Sequence, residues 1–327
     1  MADTPSNPPA AEPAPTSASA TAPDTIAEKA YLSQKYARLR FGPHTVIGYS
    51  VAGEETVVQV PELNVCFDIG RAPQFALTSD YLCLSHGHMD HLAGVAYYLS
   101  QRYFQGMKPG TVLLPAELER PVDELLRCWQ RIERQDTPYT LVPMRPGDMH
   151  LVRKDFGIRA LKTHHGGPSI GFACVSIREK LKPEYHDRTG EELKNMKRAG
   201  VAIQYTLEVP LVTYLGDTGP GPVFADRDVV EAQILITECT FFEPEHRTKS
   251  KDGRHLHAQQ LAEILPTLRN EHVVLLHVSR RTGLSRAKKL LRKIIGEIPS
   301  NVHFLMDLRD AKNVGDAAAP AGIPAEA

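Results

Sequence analysis

The chain has 327 residues, with 38 Lys and Arg against 39 Asp and Glu and a formal net charge of −1. That length suffices for one large core or two ordinary domains, and the near-zero charge excludes indiscriminate binding to nucleic acid or anionic membrane, though not a local basic patch. No apolar run approaches the length needed to cross a bilayer, and five scattered cysteines with no C-x-x-C spacing fit a reducing compartment, read here as the cytoplasm.

Residues 1–28 are rich in Pro, Ala, Ser and Thr, cannot offset the entropy of ordering, and are expected to form a disordered tail. They lack an apolar segment for a secretory signal and carry Asp3, Glu12 and Asp24 with no Arg before Arg38, a poor transit peptide. A single hydrolase domain is expected over 29–310 and a second tail over 311–327. Within the domain, Thr56–Val60, Leu63–Asp68 and Tyr81–Ser85 read as strands, Leu92–Tyr103 as a helix and Thr111–Leu114 as a strand. Glu117–Ile132 has helical spacing, with Leu118, Val122, Leu125, Leu126 and Trp129 expected in the core. Four strand-like stretches lie between Leu141 and Val175, and Asp187–Ala199 is polar and helical. Strands at Leu211–Leu215, Ile234–Thr237 and Val273–Leu276 alternate with helices at Ala258–Leu268 and Ser285–Ile295. The class is α/β.

Polar residues cluster just past the C-terminal ends of these strands, where α/β architectures place ligand-binding and catalytic groups. The densest group is His86-Gly87-His88-Met89-Asp90-His91, an H-x-H-x-D-H pattern between a strand and a helix. Imidazole and carboxylate donors suit zinc, manganese or iron, and these six residues can serve two neighbouring ions, His86 and His88 one, Asp90 and His91 the other. One loop cannot complete such a centre. Asp217 follows a strand and a Gly, and can bridge two cations; alone, an Asp-Thr pair more often starts a turn. Either His164 or His165 can contribute. His277 ends a strand of Val and Leu, where a buried imidazole needs a partner.

Together these residues resemble the metallo-β-lactamase fold family and, within it, ribonuclease Z, the endonuclease that removes 3′ trailers from precursor tRNA. The resemblance runs from about Phe67 to Leu308 and is strongest to the short, plant-type branch. It is carried by Phe67-Asp68-Ile69-Gly70-Arg71, the histidine loop, Lys180-Leu181-Lys182-Pro183-Glu184-Tyr185, Gly216-Asp217-Thr218, Glu238-Cys239-Thr240-Phe241 and His255-Leu256-His257. It implies a four-layer αβ/βα sandwich and two Zn²⁺, with Mn²⁺ or Fe²⁺ as alternatives. His86, His88 and His165 would bind one ion, Asp90, His91 and His277 the other, and Asp217 would bridge them. His165 is preferred to His164 by its spacing to Gly171-Phe172. Glu238 and His255 match a Glu/His pair beside the metals and, with Asp90, form the expected catalytic set; His257 is a weaker candidate for support. Hydroxide from a water bridging the ions would attack phosphorus in line, and a protonated His255 oriented by Glu238 would deliver a proton to the departing 3′ oxygen.

Ser279 and Arg281 are expected to hold a substrate phosphate, although Thr282 stands where the family has Tyr. In place of the long Gly/Pro-rich arm of many bacterial members, Arg178–Gly200 holds seven Lys/Arg against five Asp/Glu, as suits a solvated helix. Arg280–Lys293 is more basic: Arg280, Arg281, Arg286, Lys288, Lys289, Arg292 and Lys293, with no acid among them. Phosphate contacts of this kind position RNA without reading its sequence. The expected substrate is precursor tRNA and the expected assembly, from the resemblance, a homodimer. The alternatives are a same-fold hydrolase of a small phosphodiester or ester and a non-catalytic RNA-binding protein, which a complete ligand set argues against.

Overall fold

A computed structural model of the chain describes residues 36–307. Both expected tails, 1–28 and 311–327, lie outside the described residues. Two seven-stranded sheets carry the fold. The first runs in sequence order through β1 (Ala37–Phe41), β2 (His44–Val51), β3 (Glu55–Val60), β4 (Val65–Phe67), β5 (Tyr81–Cys83), β6 (Gly110–Pro115) and β7 (Tyr139–Met144). Strands β1–β4 pair antiparallel and β4–β7 parallel. Parallel strands need crossovers: a short 3-10 segment (Gln74–Thr78) lies between β4 and β5, α1 (Met89–Leu92) and α2 (Val95–Phe104) between β5 and β6, and α3 (Glu119–Glu133) between β6 and β7.

The second sheet repeats this plan through β8 (Met149–Arg153), β9 (Phe156–Lys162), β10 (Ile170–Leu181), β11 (Gln204–Tyr214), β12 (Ile234–Glu238), β13 (His272–Leu276) and β14 (Val302–Phe304). Its first four strands are antiparallel and its last four parallel. Helix α4 (Gly190–Arg198) sits in the β10–β11 connection, α5 (Arg227–Val230) precedes β12, α6 (Arg247–Gly253) and α7 (Ala258–Ile264) precede β13, and α8 (Leu284–Ile295) precedes β14.

Three apolar clusters define the layers. Val58, Phe67, Cys83 and Leu113 of the first sheet pack on Ile158, Phe172, Tyr214 and Ile236 of the second, and the Phe67 and Tyr214 rings stack across the junction with centroids 4.9 Å apart. The outer face of the first sheet packs on α2 and α3 through Leu82, Val112, Tyr98, Val122 and Leu126. That of the second packs on α7 and α8 through Leu235, Leu275, Leu261, Ala287 and Leu291. The order helix, sheet, sheet, helix is the expected four-layer sandwich. The inner parallel strands are buried on both faces, hence their unbroken apolar runs, whereas edge strand β1 alternates buried and exposed residues.

Element boundaries shift by a few residues. The expected strand Leu63–Asp68 is shortened to β4 because Pro61–Leu63 forms a single helical turn and Asn64 is left-handed, φ 58°. One core expectation is overturned: Trp129 and Leu125 are each 44% exposed, while Val122 and Leu126 are buried. The apolar stripe on α3 is wider than the surface it packs against, and its outer members face solvent.

Candidate active site

The C-terminal ends of the parallel strands of both sheets meet at one edge of the sandwich. The loop after β5 carries His86, His88, Asp90 and His91, β9 leads to His165, β11 to Asp217, β12 ends in Glu238 and β13 leads to His277. Sharp turns make this convergence. His277 leaves its strand at φ 62° and Asp68 at φ 50°, both unusual for residues with a side chain. Gly216 turns at φ 59°, and a Cβ there would lie 2.6 Å from the Ser85 side chain, so this position before Asp217 requires glycine.

The structure brings the expected ligands together in two adjoining groups. His86, His88, His165 and Asp217 form one, and Asp90, His91 and His277 the other, with one ligand atom from each member of a group within 4.8 Å of the rest. Asp217 Oδ2 lies 3.7 Å from His86 Nε2 and 3.4 Å from both His91 Nε2 and His277 Nε2, which puts it between the groups. His164 is exposed, its backbone engaged with Thr218 and Gly219, and it points no ligand atom into either group.

Hydrogen bonds fix His86, His91, His165 and His277 with one nitrogen turned inward. His91 Nδ1 lies 2.7 Å from Asp68 Oδ2. His86 Nδ1 lies 3.0 Å from Ser85 Oγ, whose hydroxyl donates to the same Asp68 oxygen. His277 Nδ1 lies 2.9 Å from Thr240 Oγ1, whose hydroxyl donates to Glu238 Oε2 at 2.5 Å. His165 Nδ1 faces the Arg254 carbonyl oxygen at 3.4 Å, and Arg254 Nη1 donates back to the His165 carbonyl at 2.7 Å. In each case an N–H donor is used on the outer nitrogen, so the inner nitrogen is left as a lone pair. The inner nitrogens of His91 and His277 lie 3.4 Å apart, and His165 Nε2 lies 3.2 Å from His88 Nδ1. Lone pairs facing each other at such distances call for a cation. Buried His86 Nε2 and Asp217 Oδ1 have no hydrogen-bond partner, so the residues present fit divalent metal ions on their own chemistry.

The electrostatics differ between the imidazoles: burial would lower His91, but the Asp217 and Asp68 carboxylates beside it outweigh burial and, in the metal-free protein, hold it well above its ordinary pKa. Burial, aided by the neighbouring imidazoles, holds His86 well below its ordinary pKa, keeping it neutral. Burial alone would raise the Asp217 carboxyl, but His277, His91 and His86 around it hold it well below the usual range.

Glu238, fully buried, accepts hydrogen bonds at Oε1 from the Thr218 amide and His255 Nδ1, both at 2.8 Å, and at Oε2 from Thr240 and the Leu256 amide. Burial would lower the His255 pKa, yet the Glu238 charge and hydrogen bond, with Asp217 nearby, push it up to about 9. The Glu238 carboxylate thus favours the protonated form of His255. Its ring stacks near His277, centroids 5.4 Å apart. A cleft of about 340 Å³ opens over Asp90, Asp217, His255 and His277, with Ser279 and Arg281 also in its wall. His257 stands apart: its Nε2 bonds the Glu243 carbonyl oxygen and its Nδ1 accepts the Gln259 amide, capping α7.

Sequence reasoning assigned no role to Asp68, Ser85, Thr240 or Arg254, the residues that orient the imidazoles. Asp68 belongs to the run Phe67-Asp68-Ile69-Gly70-Arg71, and its position just past the end of β4 is the signal in the sequence.

Two sheets whose parallel strands deliver histidines and carboxylates to a shared edge define a metal-dependent hydrolase. The chain matches the Beta-lactamase superfamily domain over residues 71–278. The metallo-beta-lactamase fold protein YhfI from Bacillus subtilis superimposes with a TM-score of 0.52 at 17% identity, covering 78% of this chain and 92% of that one, a likeness of fold. The tRNase Z TRZ1 of Arabidopsis thaliana is 32% identical over 251 residues, 76% of this chain and 90% of that protein. The Nuclear ribonuclease Z of Triticum aestivum is 37% identical over 170 residues, 52% of this chain and 97% of that protein. The chain belongs to the ribonuclease Z family of the beta-lactamase superfamily.

Proposed function

We propose that the protein is a zinc-dependent endoribonuclease that removes the 3′ trailer from precursor tRNA. The observation that carries this reading beyond a generic hydrolase is the Glu238 carboxylate, which bonds His255 directly and reaches His277 through Thr240. It sets a charged imidazole beside the ligand cluster, as cleavage with an alkoxide leaving group requires. The family relatives named ribonuclease Z and tRNase Z supply the substrate class.

His86, His88 and His165 would hold one Zn²⁺, Asp90, His91 and His277 the second, with Asp217 shared. When bound, the two ions supply Lewis acidity toward the phosphodiester and a nucleophile at neutral pH. Glu238 holds His255 through Nδ1, leaving Nε2 to give its proton to the departing 3′ oxygen. Arg281, with Ser279 in the same wall, holds a phosphate beside the scissile one. The products are a tRNA with a free 3′ hydroxyl and a trailer with a 5′ phosphate. The working form is a homodimer in a reducing, cytoplasmic setting, consistent with the free thiols of Cys66, Cys83, Cys128, Cys174 and Cys239. No helix among the described residues is long and apolar enough to cross a membrane.

The test is incubation of the zinc-loaded protein with a precursor tRNA bearing a 3′ trailer and, separately, with bis-p-nitrophenyl phosphate. Cleavage after the discriminator base, lost in Asp217→Ala and His255→Ala, is the expected result. Turnover of the small diester with the precursor left intact would replace this reading by that of a small-phosphodiester hydrolase.

A further inference from the structure

Of the seven cations between Arg280 and Lys293, the structure neutralises three. Arg280 pairs with Glu54 at 2.7 Å, Arg286 with Glu243 and Lys288 with Asp307. These acids come from β2–β3, the β12–α6 connection and the segment after β14, so the three pairs tie α8 and its approach to the body of the domain. Arg281, Lys289, Arg292 and Lys293 are exposed, and among the described residues no ion pair takes them up.

What sets this run apart is its lack of acids. Arg120 and Arg127 on α3 each meet an acid four residues away, as do Arg188 just before α4 and Arg227 at the start of α5, and the exposed Lys194, Lys197 and Arg198 of α4 follow Glu191 and Glu192 on the same helix. From Arg280 to Gly296 there is no acid at all. Lys289 stands three residues before Arg292 and four before Lys293, spacings at which like charges repel on a helix surface. Ala287 and Leu291 face the core, fixing these three cations on the solvent side. A helix that retains mutual repulsion, in a chain of net charge −1, is shaped for an external anion. Its position says which anion: Arg281 lines the cleft, α8 starts three residues later, and Lys289, Arg292 and Lys293 occupy about 6 Å of its axis, starting about 8 Å from its first residue. The three cations form a compact patch that the chain joins to Arg281 in the cleft wall.

We infer that Lys289, Arg292 and Lys293 form a phosphate track for an RNA stem whose end enters the cleft past Arg281. Double-stranded RNA is held mainly through phosphates and 2′ hydroxyls along its length, which suits a row of cations with no base-reading side chain among them. The inference rests on the RNA substrate proposed above and adds where its helical part lies.

The test is the full-length triple variant K289E/R292E/K293E, checked against wild type for melting temperature and zinc content. Binding is read by fluorescence anisotropy across a salt series, with a precursor tRNA transcript and with its single-stranded trailer alone. The variant is expected to bind the precursor at least about tenfold more weakly at low salt, with the slope of log K against log salt reduced by about three, while trailer binding changes little. Reversal of Arg120 and Arg127 on α3 serves as the control and leaves both affinities as in wild type. An unchanged affinity and slope in the triple variant would overturn the inference even if the wild type cleaves precursor tRNA. Track-dependent binding of the precursor without its cleavage would retain the track and remove the proposed endonuclease activity.

Discussion

Asp68 Oδ2 lies 2.7 Å from His91 Nδ1, with both residues fully buried. The same carboxylate accepts the Ser85 amide and hydroxyl and, from the opposite sheet, the Tyr214 hydroxyl at 2.5 Å. One side chain thus sets the tautomer of His91 directly and of His86 through Ser85, while joining the two sheets beneath the site.

Asp68→Asn keeps the volume and replaces one acceptor oxygen by a donor. Removing a carboxylate that orients a metal-binding histidine costs about 10–100-fold in metal affinity. Competition with a chromogenic chelator measures this, and wild-type zinc affinity in the variant would mean that the ligand shell is oriented without Asp68.

Thr240→Val is the matching change on the other side. It keeps the branched shape but leaves His277 Nδ1–H without its acceptor and removes one of the donors to Glu238. A buried polar group stripped of its partner costs about 1–3 kcal/mol, so denaturant titration of the metal-free protein is expected to show a loss of that size. Thr240→Ser restores the hydroxyl and is expected to recover most of it.

Metal removal is itself a stability experiment. A ligand present at a thousand times its Kd contributes about 4 kcal/mol to the folded state, and for a domain of this size each kcal/mol moves the melting temperature by about 2–4 °C. Exhaustive chelation is expected to lower the melting temperature by roughly 10 °C, with zinc add-back restoring it. A chelator-treated sample melting with the untreated protein would show that the cluster of lone pairs does not hold ions that matter to the fold.

Trp129, the sole tryptophan, gives a direct optical check on its exposure. Its emission is expected at long wavelength and open to quenching by iodide in the native state. Trp129→Gln is expected to change stability by less than about 1 kcal/mol, whereas Leu126→Ala on the buried side of α3 is expected to cost about 2–5 kcal/mol.

The proposed ligands were legible in the sequence because each follows an apolar strand, and an imidazole or carboxylate at a strand end is conspicuous against Val and Leu. The residues that orient them were not. Asp68 and His91 are 23 positions apart, Thr240 and His277 37, Arg254 and His165 89, so no local pattern joins them; only the folded backbone does. The same limit explains Trp129 and the basic run. Helical spacing marks Leu118, Val122, Leu125, Leu126 and Trp129 as one stripe but says nothing of how wide a surface they meet. Counting cations from Arg280 to Lys293 overstates the free charge, because Glu54, Glu243 and Asp307 arrive from other parts of the chain.

The two sheets repeat one plan, and each contributes part of the cluster: His86, His88, Asp90 and His91 come from the first, His165, Asp217 and His277 from the second. Neither half alone offers the grouping. A molecule whose halves have closed out of register would present scattered imidazoles with little grip on a metal ion. An ion held by the cluster would therefore tie the two halves of the chain to each other, so that assembly and metal affinity depend on the same alignment.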